Sequence, residues 1–419
     1  MTRRSLVAVG AVALVVGCTE NPTAPGRCPD FCPPGSITLV DTLLTTMIER
    51  DSAFRGYLEP RGASALIAAD LPGIVDSRPI LRFQSIGTTV QLAGTDTTQR
   101  AIVATDSARL TLTVFRRDTT VRNLRLRLVR LPVAIDSTTA FGDVTGPFND
   151  SLVRVVNVDS LVRAANRKDT VTKDSVFVAA SGNVRVMIRL DSAQARFLAA
   201  DSGTLAYGVR IAADTATSAV VGSNESGDSP LINWYLSVDS AGTTTHIARV
   251  VAPQFDTYLF DPPPGPLDST LTIGGMPSAR SLLHVVLPRR LRDSTQILRA
   301  TLLLIPSTLA RGAPIDSFTM VAHAVAADLG GKSPLVSGLD SSYFGVGPVP
   351  LNSTDTVRVD ITRILRRWSA DTTAPTAFVL RSASEGIVLT EIRFQPATHA
   401  TLRPTVRVTY ATRFPFGTP

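Results

Sequence analysis

Lysine is almost missing from this chain. Lys168, Lys173 and Lys332 are the only three, so 39 of the 42 basic residues are arginine. Glutamate is scarce, with six against 29 aspartates, and aromatics make up 6% with two tryptophans. There are four histidines and three cysteines. A nucleic-acid surface gathers its basic residues into patches. Here arginines alternate with apolar residues, as in Leu124-Arg125-Leu126-Arg127-Leu128. Period-two alternation puts them on the solvent face of strands, so no nucleic-acid partner is expected. His246, His284, His323 and His399 contain no pair at the i, i+4 spacing of a metal site, and no metal ligand or cofactor is assigned. His284 alternates with apolar neighbours and is expected to face solvent from a strand. The chain has no Gly-x-Ser-x-Gly elbow, since Gly222-Ser223-Asn224-Glu225 lacks the second glycine. No pair of carboxylates stands out for glycoside hydrolysis. No catalytic residue is assigned, and the chain is not expected to be an enzyme.

Long apolar runs are also missing. The longest opens the chain, where Leu6 to Gly17 carries no charge behind Arg3 and Arg4. It is shorter than the roughly 20 residues that span a bilayer, and it has the form of a signal-peptide h-region. Residues 1–17 are therefore read as a signal peptide. The run ends Val15-Val16-Gly17-Cys18, which resembles the lipobox of bacterial lipoproteins. The resemblance implies cleavage before Cys18, lipidation of that cysteine, and a cell-envelope address anchored by lipid. Thr19 in place of an aspartate leans the address toward the outer membrane, periplasmic or surface-facing. The other reading is an ordinary secretory signal with a coincident cysteine.

Residues 18–45 follow as a tether stiffened by Pro22, Pro25, Pro29, Pro33 and Pro34. Cys28 and Cys32 lie within it. In an oxidising compartment they are candidates for a small disulfide loop. A metal site there would need further ligands nearby.

Beyond the tether, short runs rich in Val, Leu, Ile and Thr read as strands. Of the 29 aspartates, 23 are followed directly by Ser or Thr. Such pairs bond their own backbone and favour turns. Helical pattern is scarce. Ile361, Ile364, Leu365 and Trp368 predict one two-turn amphipathic helix, starting at Asp360 or Thr362, with Trp368 in a core.

The two halves also repeat each other. Leu66 and Arg78-Pro79-Ile80-Leu81 parallel Leu271 and Arg280-Ser281-Leu282-Leu283, at similar distances from Asp51 and Asp256. Ala108-Arg109-Leu110 parallels Ala300-Thr301-Leu302, and Asn183-Val184-Arg185-Val186 parallels Thr356-Val357-Arg358-Val359. Leu205-Ala206-Tyr207 parallels Thr376-Ala377-Phe378, and Pro230 to Trp234 parallels Pro404 to Val408. In this alignment Met187 stands where the second copy has Asp360, and Phe197 where it has Trp368. The pattern predicts an all-β chain with few short helices, made of two tandem antiparallel β-sandwich domains over 46–248 and 252–413.

The second copy, through Ser278-Ala279-Arg280, Val359-Asp360-Ile361-Thr362 with Trp368, and Arg403-Pro404-Thr405-Val406-Arg407-Val408, resembles the DNRLRE domain family; the first copy resembles it more weakly. That resemblance implies jelly-roll sandwiches related to carbohydrate-binding modules. It carries an expected function: a non-catalytic envelope lipoprotein that binds a polysaccharide or a surface-protein partner. The alternatives are a structural spacer without a small ligand and, behind that, a glycan-active hydrolase. An exposed aromatic or Asp/Asn-rich concave sheet face would favour binding, and a uniformly Arg/Thr/Asp surface would favour the spacer.

Overall fold

The computed structural model describes residues 38–412 except 56–62, 73, 85, 93–97, 196–204, 262–269, 277, 294, 314–315 and 334–338. Strand accounts for 55% and helix for 11%, so the chain is all-β. Every strand pairing described is antiparallel, as expected of strands joined by short turns. The Asp-Ser/Thr pairs mark many of those turns. Asp118, Asp136 and Asp371 each accept a hydrogen bond from the backbone N–H two residues on.

Two opening strands, β1 (Leu39–Leu44) and β2 (Ile48–Arg55), precede the rest. The next stretch holds β3 (Ala65–Leu71), β4 (Val75–Phe83), β5 (Thr89–Gln91), β6 (Gln99–Arg117), β7 (Arg125–Leu131) and β8 (Leu152–Asn157). It continues with β9 (Ser175–Val178), β10 (Val184–Leu190), β11 (Leu205–Ala212), β12 (Thr217–Gly222), β13 (Leu231–Ser240), β14 (Thr243–Val251) and β15 (Pro253–Asp261). The last stretch holds β16 (Leu271–Gly274), β17 (Ala279–Val285), β18 (Thr295–Leu304), β19 (Arg311–Gly312) and β20 (Phe318–Val325). It ends with β21 (Leu339–Val349), β22 (Val357–Asp360), β23 (Ala377–Ser382), β24 (Thr390–Phe394) and β25 (Thr405–Thr412).

The two stretches pair in the same order. In the N-terminal assembly one layer runs β9-β10-β6-β13-β14 and the other β12-β3-β4-β11-β7-β8, with β15 on the free side of β4. In the C-terminal assembly one layer runs β22-β18-β25-β1 and the other β24-β16-β17-β23-β20-β21, with β2 on the free side of β17. The first pair of layers is a single curled sheet, because the end of β6 reaches across to β12 through Val114, Arg116 and Arg117. The same joint in the second pair shrinks to an isolated bridge between Pro306 and Phe394. Proline has no N–H to extend a ladder there.

Strand pairing departs from the boundaries drawn on the sequence. Leu39–Leu44, placed in the tether, is the strand β1 and pairs with β25. Its partner β2 pairs with β17. Conversely β15, placed in the second unit, pairs with β4 along eight residues of register. Each assembly thus takes two consecutive edge strands, one for each layer, from the stretch that precedes the other: β14 and β15 serve the first, β1 and β2 the second. Two aspartates, Asp256 buried and Asp51 half-buried, pin the arrangement. The Asp256 carboxylate accepts the Asn224 N–H at 2.6 Å, and Asp51 accepts the Ala397 N–H at 2.5 Å. These loops follow β12 and β24, which occupy equivalent positions.

One large core fills each pair of layers. Trp234 lies in the first and Trp368 in the second, both fully buried. The helix Thr362–Ala370 turns Ile364, Leu365 and Trp368 inward, and Trp368 stacks on Phe378 at 6.2 Å between ring centroids. Arg366 on its outer side donates to the carbonyls of Ile297 and Leu298, where β18 bulges. The assemblies also touch. Tyr258 Oη donates to the Gly386 carbonyl at 3.0 Å, and Arg116 meets Asp316 in a 2.7 Å ion pair.

The outer face of the β4-β11-β7 layer is closed by the chain itself. Val144 and Phe148 cover Ile80, Leu131 and Ala206. Gly208 is required under that cover, since a Cβ there would sit 2.4 Å from the Phe148 ring. On the β17-β23-β20 layer Phe54 and Leu339 pack against Leu282 and Val379. The outer faces of the β6 and β18 layers carry no such cover among the described residues. No described helix is long and apolar enough to cross a membrane.

Candidate functional site

Cys18, Cys28, Cys32 and Phe197 lie outside the described residues. What remains to weigh is the open face of the β9-β10-β6-β13-β14 layer. Successive side chains of a strand point to opposite faces. The inward set Leu110, Leu112, Ile188, Ile232 and Trp234 is buried, so the alternate set Arg109, Thr111, Arg189, Asn233 and Tyr235 faces out. The register aligns them. Arg189 lies directly opposite Arg109, and Arg109 opposite Asn233. Strands sit about 4.8 Å apart, so this row of donors crosses three strands over roughly 10 Å. Tyr235 is one step along the same face, and Phe177 is exposed at its far side on β9.

A cleft of about 410 Å³ opens beside the row, lined by Asp106, Ser107, Arg109, Arg189, Tyr235 and His246. Asp106 projects at a register shift between β6 and β13. One of its oxygens accepts the Ser237 hydroxyl at 2.8 Å, and the other lies 3.0 Å from His246 Nδ1. Ser237 Oγ is also 3.1 Å from that same Nδ1. Serine, histidine and aspartate therefore meet here, but not as a relay. In a relay the serine bonds one ring nitrogen and the carboxylate the other. Both groups crowd Nδ1 here, so the hydroxyl spends its proton on Asp106 and is not activated. The cluster fixes His246 and occupies both oxygens of the only carboxylate in the cleft.

The corresponding face of the β18 layer has a cleft of about 290 Å³ lined by Arg299, Thr301, Arg358 and Arg407. Its row reads Asp360, Thr301, Arg407 across the strands, and Arg407 donates to Asp41 on β1 at 2.9 Å. The structural register corrects the sequence alignment. Val186 pairs with Leu112, and Val357 pairs with Leu304, the counterpart of Leu112. Asp360 is therefore matched by Arg189, not by Met187. A slip of two residues keeps every side chain on its face, so the alternation could not reveal it.

The remaining ionisable groups have structural posts. Glu385 accepts both Arg280 and Arg381, and Glu391 accepts Arg55 and Arg393. His284, expected to face solvent, sits beside Asp328 at 3.1 Å and is mostly covered. His323 lies against Phe344; burial, then the Arg381 guanidinium, holds its imidazole below the ordinary value. His399 Nδ1 accepts two backbone N–H groups in the turn before β25. No cluster of three His, Cys, Asp or Glu side chains that could hold a metal ion occurs among the described residues.

Sequence reasoning missed the Asp106–Ser237–His246 cluster and the arginine row. Asp106 and Ser237 are 131 residues apart, and only pairing of β6 with β13 brings them together. No known protein family matches the chain, and no curated protein is similar to it.

Proposed function

We propose that this protein is a lipid-anchored envelope protein that binds a polysaccharide through an open sheet face, as a tandem pair of jelly-roll-like units related to carbohydrate-binding modules. A surface-protein partner is the second ligand class considered. The observation that carries the reading is the uncovered outer face of the β6 layer. The chain covers the outer face of its other layer with its own residues 141–148, yet leaves Arg189 exposed and Tyr235, Asn233 and Arg109 half-exposed. A row of planar donors beside an aromatic ring suits sugar hydroxyls and ring faces. Function resides in such sites rather than in the fold.

The address rests on Arg3, Arg4 and Val15-Val16-Gly17-Cys18. Cys18→Ala is expected to leave the precursor uncleaved or to release the protein from membrane fractions. A mature N-terminus that mass spectrometry finds unlipidated, at a residue other than Cys18, overturns the anchor. For binding, the lipid-free chain is applied to a glycan array and used in pull-downs from envelope extracts. Selective glycan signal supports the reading. Silence in both assays returns the protein to a spacer role, and turnover of a bound glycan contradicts a non-catalytic one.

A further inference from the structure

We infer that the β6 face takes a carboxylate-bearing polysaccharide, with Arg109 and Arg189 as its anion-binding pair and Tyr235 as the stacking ring. The inference rests on the polysaccharide reading and narrows it to a chemical class.

Arg109 and Arg189 are direct cross-strand neighbours. Like charges at that position are destabilising, and neither guanidinium makes a hydrogen bond or ion pair with a described residue. The described carboxylates nearby are engaged elsewhere: Asp106 is held by Ser237 and His246. Asp174 approaches Arg189 only at its backbone N–H, while its second oxygen faces Arg154 at 3.2 Å. The other half of the molecule supplies the comparison. At the positions equivalent to Arg189 and Arg109 stand Asp360 and Thr301, and the arginine of that row, Arg407, has Asp41 beside it. The same fold therefore carries a compensated row on one side and an uncompensated one on the other. Stability does not call for the second, and a bound anion relieves it.

The geometry selects the anion. Guanidinium is a planar fork that meets a planar carboxylate through two parallel hydrogen bonds. The row is linear, lies flat on an open sheet and ends beside an aromatic ring, which suits an extended chain of acidic sugars. A compact phosphate offers nothing to Tyr235.

The test uses the soluble chain from residue 19 and four probes: polygalacturonate, dextran sulfate, inorganic polyphosphate and neutral dextran. Isothermal titration and affinity electrophoresis are expected to show polygalacturonate bound most tightly, with affinity falling as salt rises. Arg109→Gln and Arg189→Gln should each weaken it tenfold or more. Arg407→Gln, on the equivalent face of the other assembly, should leave it unchanged. Both first variants relieve repulsion, so their melting temperatures without ligand should match or exceed the parent's. If either fails to fold, Arg189→Glu, which can pair with Arg109, replaces it and should abolish binding. Polygalacturonate affinity that survives both substitutions overturns the inference. Preference for dextran sulfate or polyphosphate overturns the carboxylate assignment. Binding of neutral dextran that ignores the variants overturns the inference and leaves the polysaccharide reading standing. Silence with all four probes and on the glycan array overturns both.

Discussion

Asp256 and Asp51 carry the clearest pH dependence. Each sits at the same register on its edge strand, β15 or β2, opposite Leu81 and Leu283 respectively, and each accepts a loop N–H. Burial outweighs that hydrogen bond and raises both carboxyls, and burial together with nearby Glu225 pushes Asp256 up to about 6. A raised acid binds its proton more tightly in the folded state, so its penalty is absent at low pH. The penalty appears as pH rises through the unfolded value of 3.8 and is complete above about 6. The shift corresponds to at most about 3 kcal/mol. Asp256→Asn keeps an oxygen for the Asn224 N–H and removes the charge. Its denaturant midpoint is expected to match or exceed the parent's at pH 7, with a flatter stability profile between pH 4 and 6. An unchanged profile would show that Asp256 does not titrate in that window. Exposed turn aspartates such as Asp136 and Asp371 are shifted the other way, held low by Thr138 and Thr373. Their contribution is present at neutral pH and fades as pH falls through their lowered values.

Among the elements, the helix Thr362–Ala370 shows how a short segment is held by its surroundings. Isolated helices of this length are marginal in water. Here Asp360 accepts the Thr362 N–H at its start, and the Thr362 hydroxyl accepts the Ala300 N–H. Trp368 then fills the space between the β18 layer and Phe378. Trp368→Ala should cost roughly 3–5 kcal/mol in chemical denaturation, the range for a large buried aromatic. A loss below 1 kcal/mol would mean the site collapses onto Phe378 and the helix is not a core element. The neighbouring strand β21 is fitted as closely: a Cβ on Gly345 would lie 1.6 Å from the Asp360 carbonyl oxygen. Glycine there permits one backbone to pass against another.

For the whole molecule, the pairing of β1 with β25 and of β2 with β17 makes the ends of the chain interdependent. The strands of the first assembly all lie within residues 65–261, and Met276, Ala313 and Leu389 from the later stretch join its core. The second lacks two strands until β1 and β2 return to it across more than two hundred residues of sequence. A chain starting at Ala65 is therefore expected to keep hydrogen-exchange protection in β4 and β13 and to lose it along β17 and β25, whose edges become bare. Bare edges also pair between molecules, so the truncated chain should aggregate. Full protection of β17 and β25 in the truncated chain would show that β1 and β2 are dispensable. The contacts of Tyr258 with Gly386 and of Arg116 with Asp316 predict that this loss also loosens the junction between the assemblies.

Much of the fold was legible from local chemistry. Alternation in Leu124 to Val129 and Val184 to Leu190 specifies strands and their faces, and the spacing of Ile361, Ile364, Leu365 and Trp368 specifies the helix. The ordered matches at Leu66, Ala108, Leu205 and Pro230 foretell two sets of strands with the same pairing order. These signals depend on periods of 2 and 3.6 along the chain, which any solvent-exposed face leaves in the sequence. Tertiary structure decided what such periods cannot carry. It set the two-residue register that matches Asp360 with Arg189, the return of Leu39–Leu44 to pair with β25, and the meeting of Asp106, Ser237 and His246. Each depends on which strand lies beside which. Periodicity records the face a residue occupies, while hydrogen bonding between distant strands chooses its neighbours, and the candidate binding row is made of such neighbours.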